Sequence, residues 1–465
     1  TEMLFTPAML AGGVQAAAVM GWLIGLLALS GVWDLARAHC GQPAAWLAAA
    51  SLLAGETLIL SLGSGYVEWT TILYGLGMLA TLSAWKQKNS TAALVFAGLC
   101  AGLALSSKYT AGVGLLGGLA VIALFSGNFR SIIRNAWLFG LPAVLVAAPY
   151  LVKNFVATGS AVYPLIFPTT DFDSTRMAFY NFAPGQQDWS RLLLLPWLAT
   201  VLGVEKGVGY SASIGPILLA FSPLSVLWWR QQLPGSPQRH VLSVAAVILV
   251  SGFLIWAVGS QFRGLLVQTR LYMVIFPAWT MLAAAGFAAL AELKTAQVRF
   301  GNVAAALAAL AMIFAMYETI NRTLYADAAG ATLGLRSEDS YIERNLGAYA
   351  RALDTMRALP EGSRVLMLWE TRGFYCEPRC DSDEIIDRWF HDWRTMGNVE
   401  MVLERWRASG YTHLLLRTEG MNFVRTEDKD APYTPSDWAA LEQLMSRLRV
   451  VETLGGAYTL YDLTK

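Results

Sequence analysis

From residue 14 to residue 319 the chain is a succession of about ten apolar stretches, and no other feature constrains its fold as strongly. Each is near the ~20 residues that an α-helix needs to cross the hydrocarbon of a bilayer. They run over 14–36, 44–62, 67–85, 91–107, 110–126, 135–152, 211–229, 241–258, 271–292 and 302–319. Hydrophobic residues make up 55% of the chain and charged residues 14%, too apolar a balance for a soluble globular protein of 465 residues. A polytopic α-helical membrane protein is expected. The net charge of +1 and the scattered basic residues give nucleic acid no surface, so it is set aside as a partner. Residue 1 is Thr, and neither a basic n-region nor a cleavage site follows it. The chain is therefore expected to be trimmed or to begin within a longer protein.

Orientation follows from Lys and Arg. If the first span runs outward to inward, the inner loops carry Arg37, then Lys86 and Lys88, Arg130 and Arg134, Arg230 and Arg239, and Lys294 and Arg299. Every inner loop is then basic, as the positive-inside rule requires. Two large segments fall outside. One is the loop 153–210, with Asp171, Asp173, Arg176 and Asp188, whose apolar run Leu192 to Val204 is short, holds Pro196 and is expected in the interface. The other follows residue 321, where composition changes abruptly. The expected organisation is a transmembrane domain over 1–321 and an extracytoplasmic α/β domain over 322–465. In the latter, Tyr341 to Leu359 and Val399 to Ser409 have helical spacing, and Arg364 to Trp369 and His413 to Arg417 are strand-like. Val450 to Leu454 and Ala457 to Tyr461, around Gly455-Gly456, predict a closing hairpin. No glycine-rich phosphate loop occurs there.

The tail also holds Asp381, Asp383, Glu384, Asp387 and His391. Such a cluster suits a cation, although this spacing more often marks a solvated helix face. Cys376 and Cys380 bracket Glu-Pro-Arg in the segment expected outside, so a local disulfide is favoured over zinc. A zinc site would need further ligands; His39 and His240 fall on the inner side, leaving His391 and His413. Cys40 and Cys100 lie at or within spans and read as packing.

Ionisable groups near hydrocarbon are costly, roughly 2.5 to 3.5 kcal/mol at a span centre, so their repeated appearance at span ends points to function. Glu68 opens a span just after Gly63-Ser64-Gly65-Tyr66, at the level expected to face outside. It reads as a site carboxylate or as a helix N-terminal carboxylate favoured by the dipole. Glu56 lies deeper and suits a paired structural role, and Asp34 and Arg37 near the inner end read as structural. Lys108 falls in the tight turn Ser106-Ser107-Lys108-Tyr109-Thr110, where it either snorkels to water or offers a point charge to a phosphate. Arg263 and Arg270 flank the turn before the ninth span, and Lys153 and Asn154 end the sixth. Arg grips phosphate oxygens through two donors.

These residues carry a family resemblance. Ala101-Gly102-Leu103-Ala104-Leu105-Ser106-Ser107-Lys108-Tyr109-Thr110 is similar to a glycine-rich span ending in a Lys turn. Lys153-Asn154, with Thr158-Gly159-Ser160-Ala161-Val162-Tyr163-Pro164, and Gln268-Thr269-Arg270-Leu271-Tyr272 with Pro277 follow in the same order. Together they resemble the GT-C superfamily of membrane glycosyltransferases. Within it they resemble the bacterial, family 39-like group related to dolichyl-phosphate-mannose protein mannosyltransferases and lipid A aminoarabinose transferases. Two departures are visible: Glu68 stands where relatives have Asp at a span head, and Ser160-Ala161 replaces Asn-Pro. The family's catalytic carboxylate, in the loop after its first span, is expected before Thr1.

The resemblance implies inverting transfer of a sugar from a polyprenyl-phosphate donor to a lipid, glycan or protein acceptor at the outer face of an inner, plasma-type membrane. Such chemistry needs a carboxylate to take the acceptor's proton and cations to stabilise the departing phosphate. Lys108 and Arg270 are the expected phosphate ligands, with Arg263 and Lys153 behind them; Glu68 is the expected site carboxylate that orients a sugar hydroxyl, a metal or the acceptor, the base itself being expected before Thr1. Tyr109, Asn154, Tyr163 and Tyr272 are expected to line the substrate groove, although interfacial tyrosines are also common anchors. No cofactor is certain and a divalent cation stays open. The rival reading is a transporter or flippase of a lipid-linked molecule, against which the absence of an internal repeat counts.

Overall fold

The structure, a computed structural model, describes residues 2–62, 66–164, 167–170, 172–180, 187, 189–201, 214–294, 298–427 and 431–464. Among them the helices follow as α1 (Glu2–Cys40), α2 (Gln42–Leu53), α3 (Glu56–Ser61), α4 (Glu68–Lys88), α5 (Thr91–Ser107), α6 (Gly112–Phe125), α7 (Phe129–Thr158), α8 (Ser174–Tyr180), α9 (Arg191–Thr200), α10 (Ile217–Phe221), α11 (Ser225–Gln231), α12 (Pro237–Gly259), α13 (Phe276–Glu292) and α14 (Phe300–Ala326). Short helices α15 (Ala328–Thr332), α16 (Glu338–Leu346), α17 (Ala348–Arg357), α18 (Arg388–Met396), α19 (Val399–Ala408), α20 (Thr418–Thr426) and α21 (Pro435–Arg447) follow, interleaved with five strands. Two compact units result: Thr1–Phe167 with Phe182–Ile320, and Pro168–Asn181 with Asn321–Lys465. The cut at 320 lies beside the composition change. Residues 168–181, expected in the loop of the membrane part, instead fold with the C-terminal unit.

In the first unit each of the ten apolar stretches carries helix. In hydrocarbon a helix is the one open segment that satisfies all its own backbone groups. Among the described residues five helices are long and apolar enough to cross a membrane: Phe5–Cys40, Phe129–Thr158, Pro237–Gly259, Thr269–Glu292 and Phe300–Ala326. Two stretches are broken. Residues 44–62 divide at Ala54-Gly55 into α2 and α3, and the stretch after residue 214 divides into α10, a 3-10 turn Ser222–Leu224 and α11, where Pro223 removes an amide donor. Ends are set locally. Ser90, Asn128 and Ser236 accept first-turn amides of α5, α7 and α12, while Asn89 and Gly159 close α4 and α7 in the left-handed conformation.

Small residues bring these helices together, since apolar helices gain nothing from leaving lipid and associate by close packing. A Cβ at Gly98 would lie 2.1 Å from the Phe139 carbonyl oxygen, and one at Gly102 2.5 Å from that of Ala143, so α5 presses backbone to backbone on α7. Gly75 meets the Val274 carbonyl in the same way. Helix α13 is buried continuously from Phe276 to Ala289, an Ala-rich rod at the centre of the bundle.

The second unit is built on a five-stranded sheet of β1 (Val365–Leu368), β2 (Cys380–Asp381), β3 (His413–Arg417), β4 (Arg449–Leu454) and β5 (Tyr458–Asp462), in the order β2-β1-β3-β5-β4. β1 pairs in parallel with β2 and β3, with Val365 opposite His413, while β5 runs antiparallel to β3 and β4. Alternation sorts the side chains. Leu366, Leu368, Leu414 and Leu416 pack against Trp389, Val402, Trp406 and Leu444, and Val365, Met367, Leu415 and Leu460 against Tyr349, Leu353 and Met356. The expected single helix Tyr341 to Leu359 is two, α16 and α17, separated at Gly347 with φ +55. Leu192 to Val204 holds α9, ending at Thr200; residues 202–204, Gly63-Ser64-Gly65, Asp171, Asp188 and the side chain of Glu56 lie outside the described residues.

Candidate functional site

Three chain segments meet at one end of the first unit: the start of α4, the turn from α5 to α6, and the segment Thr269–Ile275 that leads into α13. The first supplies Glu68 and the last Arg270. Lys108 stands between α5 and a 3-10 turn, Tyr109–Ala111, in extended conformation (φ −159, ψ 129). Thr110 Oγ1 donates to Leu271 O at 2.7 Å and ties that turn to the α13 approach.

Lys108 Nζ donates to Glu68 Oε1 at 2.9 Å. Glu68 is 2% exposed, and its second oxygen, Oε2, is buried without a hydrogen-bond partner among the described residues. Arg270 is close enough for its charge to bear on Lys108. Its Nε donates to Gln268 Oε1 at 3.1 Å, and its guanidinium carbon lies 5.7 Å from the Tyr66 ring centre. Two cations against one carboxylate leave the site with a net positive charge, the arrangement that holds an oxyanion.

The other expected residues divide. Asn154 is buried and donates to the Tyr109 hydroxyl, which in turn donates to Ala161 O at 3.3 Å; the Tyr109 ring lies 5.4 Å from that of Tyr150. These residues clamp the end of α7 to the Lys108 turn, and Tyr163 follows, half-buried. Tyr272 does not line a groove. It is 2% exposed, stacks on Trp256 at 4.8 Å and donates to Leu266 O at 2.9 Å, which makes it a packing residue. Lys153 points away from its buried neighbour Asn154 and is exposed, with no ion pair to a described residue, so it is not gathered with Lys108 and Arg270. Arg263 flanks the 3-10 turn Gly264–Val267, half-buried. Gln268, Tyr66 and Tyr150 were not singled out for these roles in the sequence; Gln268, two positions before Arg270, was the one with a visible signal.

In the second unit the acidic cluster divides: Asp383, Asp387 and His391 are buried, Asp381 is half-buried and Glu384 is exposed. Asp383 is 2% and Asp387 1% exposed. Asp383 accepts the Trp369 amide at 2.9 Å and the Arg388 amide at 3.2 Å, yet burial pushes its carboxyl up to about 6. Asp381 accepts from Arg388 at 3.1 Å and from Tyr411. His391 bridges Asp392 and Asp173, at 3.1 and 3.0 Å. Among the described residues no three His, Cys, Asp or Glu side chains come together as metal ligands. Cys376 and Cys380 form a disulfide with a Cα separation of 5.5 Å, its Cys376 sulfur 3.7 Å from the Tyr349 hydroxyl.

Residues 6–152 match the family described as dolichyl-phosphate-mannose-protein mannosyltransferase. No curated protein matches the chain. A crystal structure of ArnT from Cupriavidus metallidurans bound to undecaprenyl phosphate is similar with a TM-score of 0.55 and 15% identity, over 99% of this chain and 86% of that one. The apo ArnT structure gives the same values. The apo oligosaccharyltransferase of Archaeoglobus fulgidus is similar with a TM-score of 0.45 and 13% identity, over 90% of this chain and 61% of that one. The chain thus shares the ArnT fold over nearly its whole length, and its first third, residues 6–152, is similar to the protein mannosyltransferase family.

Proposed function

We propose that this protein transfers a sugar from a polyprenyl-phosphate-linked donor to a lipid, glycan or protein acceptor at the outer face of the membrane, with inversion at the anomeric carbon. The observation that carries it is the pairing of Lys108 with buried Glu68 beside Arg270, at the head of the central helix. The ArnT structure of the same fold holds undecaprenyl phosphate. In the reaction the acceptor hydroxyl oxygen attacks the anomeric carbon, its proton passes to a base, and the lipid phosphate leaves with the electrons of the broken bond. Charge then grows on the phosphate, and donors fixed beforehand lower the barrier most. Lys108 supplies a point charge and Arg270 a planar fork, with Gln268 occupying its Nε. We assign Glu68 to holding Lys108 in place, on the phosphate side of the reaction.

The basic residues Arg37, Lys86, Lys88, Arg130, Arg134, Arg230, Arg239, Lys294 and Arg299, read by the positive-inside rule, support the opposite end of the bundle as the inner one and this end as the outer one of a plasma-type membrane. The loop after α7 contributes Pro168–Asn181 to the C-terminal unit, which supports one side of the membrane for that loop and that unit.

The test is sugar transfer from polyprenyl-phosphate donors by the protein in nanodiscs, normalised to folded protein. Arg270→Ala should lower turnover by roughly two to three orders of magnitude, equivalent to about 2.7 to 4 kcal/mol. Arg270→Lys should recover little, since a lysine cannot offer two parallel donors. Unchanged transfer in Arg270→Ala would remove the residue from the phosphate site. Donor binding with movement across the bilayer and no transfer would move the protein to the lipid transporters.

A further inference from the structure

The end of the first unit opposite Lys108 gathers the ends of α4, α6 and α11 and the start of α12. α12 packs against the other three, so side chains of these terminal turns meet. Lys86, in the last turn of α4, places its Nζ 3.4 Å from the ring centre of Phe125, which ends α6. Arg239, in the first turn of α12, places its guanidinium carbon 3.8 Å from the ring centre of Trp229 in α11. The Trp229 ring is itself fixed. Its Nε1 donates to Ser243 Oγ at 3.2 Å, and Ser243 Oγ donates to the Arg239 carbonyl at 2.7 Å.

Both cations are half-buried. Arg239 is close enough for its charge to bear on Lys86, and Lys86 bears in turn on His240. The side chains of Lys86 and Arg239 make no hydrogen bond or ion pair with a described residue. The described acids at this end are Asp34, held by Arg37 at 2.8 Å, and Glu292, exposed where α13 ends; neither is bonded to the cluster. Like charges brought together and partly withdrawn from water disfavour one another, and a ring face offsets only part of that cost. An anion from outside the chain offsets the rest.

We infer that Lys86 and Arg239 bind the phosphodiester of an anionic membrane phospholipid. Basic pockets between transmembrane helix ends suit such headgroups. Arg239 offers a planar fork to two phosphate oxygens, and Lys86 a point charge beside it. Both side chains already lie on rings, so little rotamer freedom is lost when the phosphate enters. Leu124, next to Phe125, and Leu227, two residues before Trp229, are 65% and 41% exposed. That apolar surface is what acyl chains cover and a soluble phosphate leaves wet. The site is independent of the transfer reaction and of which leaflet holds this end.

The test is native mass spectrometry of the whole protein in detergent micelles, titrated with phosphatidylglycerol or with phosphatidylcholine of the same acyl chains. Phosphatidylglycerol should bind saturably and more tightly than phosphatidylcholine. A cation beside a headgroup is worth about fivefold in binding. Lys86→Gln and Arg239→Gln should therefore each weaken phosphatidylglycerol about fivefold and leave phosphatidylcholine unchanged. Each removes a like-charge repulsion, so both variants should fold. Lys86→Arg keeps the charge and should bind like the parental protein. Lys88→Gln, an exposed change two residues on, controls for general surface charge and should also bind like the parental protein. No preference for phosphatidylglycerol, binding unchanged in both Gln variants, or equal weakening by Lys88→Gln and Lys86→Gln overturns the site. Displacement of the lipid by glycerol 3-phosphate at matched concentration would assign the cluster to a soluble phosphate and overturn the lipid as its occupant.

Discussion

Lys108 and Glu68, 40 positions apart in the chain, form a 2.9 Å ion pair in which the carboxylate side chain is 3% and the ammonium side chain 21% exposed. The asymmetry decides what a substitution does. Removing the Lys alone strands a buried charge, a change that typically costs about 3 to 5 kcal/mol, whereas removing both groups leaves none. Lys108→Met should therefore unfold at lower temperature than Glu68→Gln/Lys108→Met, and neither should transfer sugar at the parental rate. A double variant no more stable than Lys108→Met would show that the pair is not coupled.

The α5–α7 contact makes a second prediction. Gly98→Ala places its Cβ against a backbone oxygen of α7, where neither partner is a flexible side chain. Overpacking of this kind costs typically 1 to 3 kcal/mol, and the shift of α5 is transmitted to Lys108 at its end. Gly140→Ala on α7 meets nothing within 4 Å and serves as the control, neutral or slightly stabilising. Equal melting temperatures for the two variants would refute the close-packed seam.

What the sequence made legible were features written in composition. Apolar length located ten stretches that carry helix, two of them broken, the loss of apolar length at residue 321 lies beside the boundary of the second unit, and the charges at span ends drew attention to Glu68, Lys108 and Arg270, which meet at one end of the first unit. Burial direction was not legible. Tyr272 and Lys153 sat at the right level, but rotation about a helix turns one into the core and the other outward, and a single sequence does not fix that rotation. The acidic tail cluster misled for a related reason: its spacing suited a wet helix face, yet Asp383 serves as a backbone cap in the interior. The docking of Pro168–Asn181 on the C-terminal unit depends on contacts more than two hundred positions apart, such as Asp173 with His391, and no local pattern encodes those.

The Cys376–Cys380 link closes a short loop at the edge of β2, with the Tyr349 hydroxyl against the Cys376 sulfur. Protein purified without reductant should show the two cysteines linked by peptide mapping, while Cys40 and Cys100 alkylate only after denaturation, Cys40 being buried in the bundle. Because the loop is short, the entropic gain is small, and the Cys376→Ala/Cys380→Ala variant should lose at most about 3 kcal/mol, the figure for a loop near 15 residues. Two free thiols in the untreated protein would dismiss the link.

The segment Pro168–Asn181 is held by groups that titrate, which predicts how its docking follows pH. His391 of α18 bonds Asp392 on its own helix and Asp173 on the segment; those bonds, Asp392 first, outweigh burial and the Arg176 charge and raise its pKa above the ordinary 6.5. Its contribution is therefore complete below about 6.5 and is lost as pH rises through the raised folded value. Asp383 acts in the same direction: burial lifts it from 3.8 to about 6, so the folded state holds a proton that the unfolded state has released, and stability falls across that interval as pH rises. Asp387, facing Arg176 at 3.9 Å, is likewise raised by burial. For Asp173 and Asp392, burial opposes ionisation but is outweighed, by the amides of Arg176 and Thr175 with His391 in the first case and by His391 and Trp406 in the second. Their pKa values are lowered, so their contribution is present above 3.8 and lost only as pH falls through those lowered values. Hydrogen exchange of residues 172–180, corrected for intrinsic rates, should thus show stronger protection near about pH 6 than near about pH 8.5. His391→Gln should keep the fold of the sheet and remove most of that difference. Protection that is flat with pH in the parental protein, or a pH dependence that survives His391→Gln unchanged, would exclude His391 as the group that fastens the segment.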